Sequence, residues 1–466
     1  MSHAARNARA DMMLHQPIGR VIPRLAVPTI VSMLITSVYN MADTYFVGQI
    51  SMGGDGTSAA AAVGVLFSAM AMIQALAFTI GMGSGANMSR LLGAGRQEEA
   101  NVYASVAVIT AILAGLVIAV LGNVFSEPLI RLLGATDTIL PHARAYASYV
   151  FYAAPFMMGT LVMNNLLRFQ GLALYAMIGV GTGGLLNMAL DPILIFGCGL
   201  GTAGAAIATA VSQVVSFCIL LAMTNLRRDT LHVTLRCFRP SLRLYGRILY
   251  NGMPSMGRQG IAAVSTALLN NIAGAWGDPA IAAMTIVGRI VMFINATVVG
   301  FGQGFQPVCS FCYGAGRYSR VREAYWYCVR VSTCILLVLG VGAMLAAEPV
   351  VAAFRRGDAE VIRIGVTALR LQLCTIPLWG YIVMSNMFTQ SIGFGVRATL
   401  IASARQGIFL APMLLTLPRL LGLVGLQLAQ PAADAATFAV TVWIVSGILR
   451  QLKAMPDRKV DEPHEA

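Results

Sequence analysis

Charge is scarce in this chain of 466 residues: Asp, Glu, Lys and Arg make up 11 % of it, against 57 % hydrophobic residues. Soluble domains carry about 25 % charged residues, so a soluble globular surface is excluded. Lysine is nearly absent; Lys453 and Lys459 are the only two. Histidine is rare as well, and His3, His15, His142, His232 and His464 all fall in termini or connections. No two stand at metal-ligand spacing, which excludes a histidine-built metal centre. Of the eight cysteines, Cys309 and Cys312 form a lone C-x-x-C. With no second pair and no nearby histidine, the motif reads as small buried residues. A membrane-embedded enzyme would need histidines or acids clustered near one interface, and none is found. No enzyme activity and no cofactor are therefore expected. Residues 1–20 lack the apolar core and small-residue cleavage site of a secretory signal.

Long apolar runs are what the chain has in abundance. Twelve can be counted, at about 24–48, 59–88, 101–123, 139–166, 171–197, 201–224, 247–275, 280–310, 323–346, 361–388, 394–417 and 423–450. Runs of about 18 or more apolar residues are membrane-span candidates. The fold class expected is all-α, a polytopic membrane protein of twelve transmembrane helices. The net charge of +13 does not signal nucleic acid, because the arginines lie in short connections between runs. One set of connections is rich in them (Arg90, Arg96, Arg227, Arg228, Arg236, Arg239, Arg243, Arg317, Arg320) and the opposite set is poor. The positive-inside rule then places both termini in the cytoplasm, with the protein a multi-pass component of the inner or plasma membrane.

The chain repeats itself. Gly81, Gly83, Ser89 and Gly93-Ala94-Gly95-Arg96 recur at Gly302, Gly304, Ser310 and Gly314-Ala315-Gly316-Arg317, an offset of 221 residues. Glu127-Pro128 recurs as Glu348-Pro349, while Pro155, Asn164 and Gly171 recur as Pro377, Asn386 and Gly393. Two homologous six-helix halves follow. Six is even, so the halves start on the same side and are expected to be related by a pseudo-two-fold along the membrane normal. Such lobes would enclose a cleft and rock about it. The expected organisation is an N-terminal tail at 1–20, an N-lobe at 21–224, a basic linker at 225–246, a C-lobe at 247–453 and a disordered tail at 454–466.

A carboxylate inside a span costs roughly 2.5–3.5 kcal/mol on insertion scales. Two stand well inside the spans of the first half: Asp43 in YNMADTYFVGQ and Asp191 in LNMALDPI. Asp43 lies 19 residues after Arg24 and Asp191 lies 20 after Gly171. At about 1.5 Å per residue each sits roughly 30 Å from the start of its helix. Asn187, four residues before Asp191, shares its helix face, and Thr209 in the sixth span reaches a similar level. The expected polar cluster is Asp43, Asn187, Asp191 and Thr209, with Tyr39 and Asn40 one turn away. Two such acids disfavour double ionisation, so the pair is expected to hold a proton or a Na⁺. Elsewhere, Gly81-x-Gly-x-Gly85 has no preceding strand and reads as close helix packing. Gln259 stands in the seventh span where no acid occurs, and Arg258 and Arg289 put positive charge into the second half; with Asn40 these residues are expected to line a possible substrate cleft.

With Pro28, YNMADTYFVGQ, NNLLRFQG at 164–171, LNMALDPI at 186–193 and GTAGAAIATAVSQ at 201–213, the chain resembles the multidrug and toxic compound extrusion (MATE) family, and within it the DNA-damage-inducible and archaeal branch. The resemblance implies cation-coupled export of drug-like, often cationic, amphiphiles by alternating access of two lobes. It implies a coupling network matching Asp43, Asp191, Asn187, Thr209, Tyr39 and Asn164, and a bending first-helix proline at Pro28. Second-lobe Na⁺ coupling, known in another branch, is not expected here. The partners implied are a small-molecule substrate, H⁺ or Na⁺ and membrane lipid, acting on a monomer. The competing reading is a lipid-linked oligosaccharide flippase of the same superfamily, in which a more charged cleft and often fourteen spans are expected. The major facilitator alternative lacks its acidic-basic signature, SRLLGAGRQEEA standing in that place.

Overall fold

The computed structural model describes residues 2–50, 56–133, 139–225, 233–354 and 358–458. Arg227, Arg228 and His232 of the basic linker and residues 459–466 of the tail lie outside the described residues. Among those described, the secondary structure is helical: α1 Ser2–His15, α2 Ile18–Ile50, α3 Gly56–Gly93, α4 Gln97–Val124, α5 Ser126–Leu132, α6 Leu140–Phe169, α7 Ala173–Pro192, α8 Gly201–Asn225, α9 Leu242–Ala273, α10 Asp278–Gly314, α11 Tyr318–Leu345, α12 Ala347–Phe354, α13 Ala359–Cys374, α14 Ile376–Ser391, α15 Gly395–Ser403 and α16 Leu410–Ala454. Wide-turn π segments follow α7 at Ile193–Gly197 and α15 at Ala404–Ile408.

Nine of the described stretches are long and apolar enough to cross a membrane, and a tenth is a broken one, Ala359–Cys374 with Ile376–Ser391, bent by 55°. One of the nine, Gly395–Ala454, is 60 residues long and cannot be a single crossing. Gly422 divides it: its φ of 61° lies in the left-handed region that only glycine adopts cheaply. Gly201, 221 residues earlier, has φ 53° at the matching joint of the first half. Helix α9 falls short on apolarity because it carries Arg258, Gln259, Asn270 and Asn271, yet it is 32 residues long and unbroken. Counted with these three adjustments, the described residues make twelve spans.

Chain packing divides the protein into two units, Met1–Met12 with Val31–Gly252 and Met13–Ile30 with Met253–Ala466. In the first unit α6 is central: 83 % of its most apolar window is buried, against 28–47 % for the other qualifying spans of that half. Small residues let neighbours approach it. A Cβ at Gly115 of α4 would lie 2.4 Å from the backbone of Pro155, and one at Gly85 of α3 would lie 2.3 Å from the Phe169 ring. Gly81 and Gly83 likewise abut Asn165 and the Ile248 carbonyl, so the G-x-G-x-G run is a packing seam. In the second unit Gly300 and Gly304 of α10 lie against Ile30 and Ala26 of α2. Helix α2 thus lends its first part to one unit and its second part to the other.

The repeat is visible in hydrogen bonds. Asn164 Nδ2 donates to the Ala176 carbonyl at 3.0 Å, and its counterpart Asn386 donates to the Ala398 carbonyl at 2.7 Å. Each clips the end of one span to the next. Asn386→Ala should remove one of these clips and cost about 0.5–1.5 kcal/mol, seen as a lower melting temperature of the purified protein with its helical content retained.

The described residues toward each end, Ser2–His15 and those up to Arg458, are held more than their polarity suggested. Residues 2–15 form α1, and Arg320 Nε donates to the Met13 carbonyl at 2.7 Å. Asp457, in the segment expected to be a loose tail, accepts from the Ser319 amide at 2.9 Å and from its hydroxyl, while the Arg458 amide donates to Gly316 O at 3.2 Å. Partial burial would raise the Asp457 carboxyl, but the Ser319 and Tyr318 hydrogen bonds and the Arg317 charge outweigh it and hold it below its ordinary value.

Candidate functional site

Helix α7 carries glycines on two faces. A Cβ at Gly179 would lie 2.3 Å from the Leu220 side chain of α8, and one at Gly183 would lie 1.9 Å from Ser216 Oγ, so this face is seated on α8. On the other face a Cβ at Gly184 would lie 3.1 Å from both Ile35 and the Tyr39 ring of α2. Asn187 and Asp191 follow Gly184 by three and seven residues, and Asp43 follows Tyr39 by four. The same helix faces therefore carry the polar groups on from the Gly184–Tyr39 contact. Overpacking here is a direct test. Gly184→Val should displace Tyr39 and lower coupled transport, at a stability cost of about 1–3 kcal/mol. Gly181→Ala, whose added Cβ has Ile35 no nearer than 3.5 Å, should leave transport close to wild type in the same assay.

Asp191 is fully buried and Asn187 nearly so. The Asn187 amide donates to Asp191 Oδ1 at 3.3 Å and to Thr209 Oγ1 of α8 at 3.4 Å. Asp43 and Asp191 act on each other electrostatically, and Asp43 acts on Tyr39. Neither acid belongs to an ion pair among the described residues, where the pairs are Arg96–Glu99, Arg131–Glu127 and Arg405–Asp434. Three buried oxygens, Asp43 Oδ1, Asn187 Oδ1 and Asp191 Oδ2, have no hydrogen-bond donor among the described residues. Buried acceptors are nearly always satisfied, and their donor set of carboxylate and amide oxygens suits a proton or a hard cation. No group of three or more His, Cys, Asp or Glu is placed to hold a metal among the described residues, so a Na⁺ here would depend on Asn187 and Thr209 as well as on the two acids.

The other expected site residues fall outside this cluster or at its margin. Asn40 is half-buried on α2. Asn164 is buried, and its Nδ2 donates to the Ala176 carbonyl, twelve residues on, which makes it a helix clip and leaves its Oδ1 uncommitted by that bond. Pro28 lies in the α2 segment belonging to the second unit, two residues before the division at Ile30. It removes one backbone donor, and the Thr29 hydroxyl bonds back to the Leu25 carbonyl at 2.8 Å; both features favour a bend. Arg258 and Gln259 are half-buried on α9, and Arg289 is exposed on α10, all in the second unit.

Two features escaped sequence reasoning. Tyr146 of α6 is buried and lies within electrostatic range of Asp43, Asp191 and Tyr39. Nothing in ARAYASYVFYAAP marks it out from its neighbouring tyrosines. The second is Asp434 of α16, 0 % exposed. Trp379 Nε1 donates to its Oδ2 at 2.6 Å, Arg405 Nε to its Oδ1 at 2.8 Å, Gln430 Nε2 to Oδ1 at 3.1 Å and the Thr375 hydroxyl to Oδ2 at 3.4 Å. The Arg405 guanidinium also stacks on the Trp379 ring at 4.5 Å. Its position within an apolar span was a signal available in the sequence. Unlike Asp43 and Asp191, this acid has its charge matched and its oxygens satisfied.

Comparison with known proteins agrees with this arrangement of helices. The MatE family model matches residues 28–193 and 254–414, one segment in each half of the repeat. The multidrug export protein MepA of Staphylococcus haemolyticus (strain JCSC1435) is 24 % identical over 93 % of this chain and 95 % of its own length. MepA of Staphylococcus aureus (strain NCTC 8325 / PS 47) is 26 % identical over 92 % and 94 %. Among solved structures, a MATE transporter in complex with MaL6 superposes with a TM-score of 0.89 at 26 % identity, covering 95 % of this chain and 99 % of that one. An outward-facing multidrug resistance MATE family transporter of the MOP superfamily gives 0.89 at 27 %, covering 95 % and 98 %. The two matched segments span well over half of the chain and fall on both six-helix halves, and the chain belongs to the MatE family of multi-pass membrane transporters.

Proposed function

We propose that the protein is a secondary active exporter in which H⁺ or Na⁺ entry through the first unit drives efflux of drug-like, cationic amphiphilic compounds by alternating access. The reading places it in the inner or plasma membrane with both termini in the cytoplasm, acting as a monomer. The observation that carries it is the set of three unsatisfied buried oxygens on Asp43, Asn187 and Asp191, two of them on mutually coupled acids. A cation entering there changes the charge of a site that has no compensating arginine among the described ion pairs. Tyr39, Tyr146 and Thr209 line that event, and Pro28 gives α2 a place to bend in response. The export of multiple drugs named for the MepA relatives supports the choice of substrate class.

The test uses proteoliposomes loaded with ethidium, with a proton gradient, a sodium gradient or neither imposed. One gradient should accelerate efflux well above the rate in protein-free vesicles. An anionic dye run in parallel tests substrate charge, since Arg258 and Arg289 lie in the second unit. Efflux that ignores both gradients would remove the coupled-export reading.

A further inference from the structure

A cavity of about 470 Å³ opens within the second unit between the start of α2 and the first three turns of α11. Ser319, Arg322, Trp326 and Arg330 line it at intervals of three or four residues, so they form one stripe along α11. At about 1.5 Å per residue the stripe is roughly 16 Å long, which is the scale of a phospholipid headgroup with its glycerol. Gly19 of α2 forms the opposite wall, and a Cβ there would lie 3.7 Å from the Tyr327 ring. A larger side chain at that position would project into the cavity.

Two arginines stand on the wall of this cavity. Arg322 is half-buried and lines the cavity. Arg330 and Glu323 are exposed, and Glu323 joins none of the ion pairs of the described residues. Two arginines against one glutamate leave the lining net positive. Asp457 at the Ser319 end is matched by the charge of Arg317. Trp326 is 42 % exposed between the two arginines. Tryptophan and tyrosine beside arginine at the end of a span are the residue types that settle at headgroup depth, and basic pockets between spans take anionic headgroups.

We propose that this cavity binds the phosphodiester headgroup of an anionic phospholipid, with Arg322 and Arg330 on the phosphate and Trp326 and Tyr327 against the glycerol and upper acyl chains. The site goes beyond transport and does not depend on the coupling mechanism or on which leaflet the cavity faces. It is tested on the full chain in phosphatidylcholine vesicles doped with brominated phosphatidylglycerol or, at equal fraction, brominated phosphatidylcholine. Tryptophan quenching in the wild type minus that in Trp326→Phe isolates the signal of Trp326. Brominated phosphatidylglycerol should quench that signal more strongly, and Arg322→Gln with Arg330→Gln should reduce the preference about tenfold or more. Equal quenching by the two lipids in the wild type would overturn the proposal, whether or not the double variant folds. Loss of the preference on adding millimolar glycerol 3-phosphate would also overturn it, by showing a small-anion site in place of a lipid site.

Discussion

Asp43→Asn and Asp191→Asn should each leave a folded chain whose ethidium efflux no longer responds to an imposed gradient. The amide is isosteric with the carboxylate, so packing around α2 and α7 is unchanged. At position 191 the amide oxygen can still accept from Asn187, as Asp191 Oδ1 does at 3.3 Å. What is lost is the charge and the ability to take up a proton. With one acid gone, the remaining carboxylate no longer shares a site with a second one, and uptake of the cation no longer changes the state of the pair. The expected residual rate is that of protein-free vesicles, checked against equal amounts of reconstituted protein with equal helical content. Thr209→Val should give a partial loss, since Thr209 reaches the acids only through Asn187. Gradient-driven efflux at wild-type rates in both Asn variants would contradict the assignment of coupling to the first unit.

Arg405→Met should destabilise the second unit far more than a typical surface change. It leaves Asp434, 0 % exposed, without its only ion-pair partner among the described residues, and breaking a buried pair costs about 3–5 kcal/mol. The position of the cluster makes the loss more severe. Thr375 sits at the joint of the 55° bend between α13 and α14, Trp379 opens α14, and Arg405 lies in the π segment after α15. One carboxylate thus ties two helix breaks to α16. Joint replacement, Arg405→Met with Asp434→Leu, should recover part of the loss because no buried charge is left alone. The buried thiols Cys309, Cys312 and Cys328 provide the readout: a thiol-reactive dye should report unfolding at a lower temperature in the single variant than in the double one. An Arg405→Met protein that melts like the wild type would show that the pair does not hold the bends.

The contrast between the two units shows what a sequence discloses. Apolar runs, the 221-residue offset and the two acids of the first half are legible because each is a local pattern or a simple translation along the chain. Helix rise alone suggests that Asp43 and Asp191 lie near one level, and the two act on each other electrostatically. The pairing of Arg405 with Asp434 could not, because 29 residues and two helix breaks separate them, and opposite charges cancel in space without any sequence rule joining them. Asn164 illustrates the reverse case. Its polar side chain within a span looks like a ligand, and only the fold shows that its Nδ2 is bonded to the Ala176 carbonyl at the start of the next helix. Tyr146 stays hidden for a different reason: only the fold tells which of several tyrosines on α6 faces the acids. The bend at Thr375 and the π segment at Ala404–Ile408 carry those tertiary contacts, and a run of apolar residues does not record them.

The most direct measurement of cation uptake by the first-unit acids is calorimetric. Purified protein in detergent is titrated with NaCl at fixed ionic strength, and ethidium is then added in a weakly buffered solution while released protons are counted. The wild type should show either saturable Na⁺ binding that ethidium reverses, or release of protons on ethidium binding. The Asp43→Asn, Asp191→Asn double variant should show neither, while still binding the dye. Unchanged Na⁺ binding or proton release in that double variant would contradict the account.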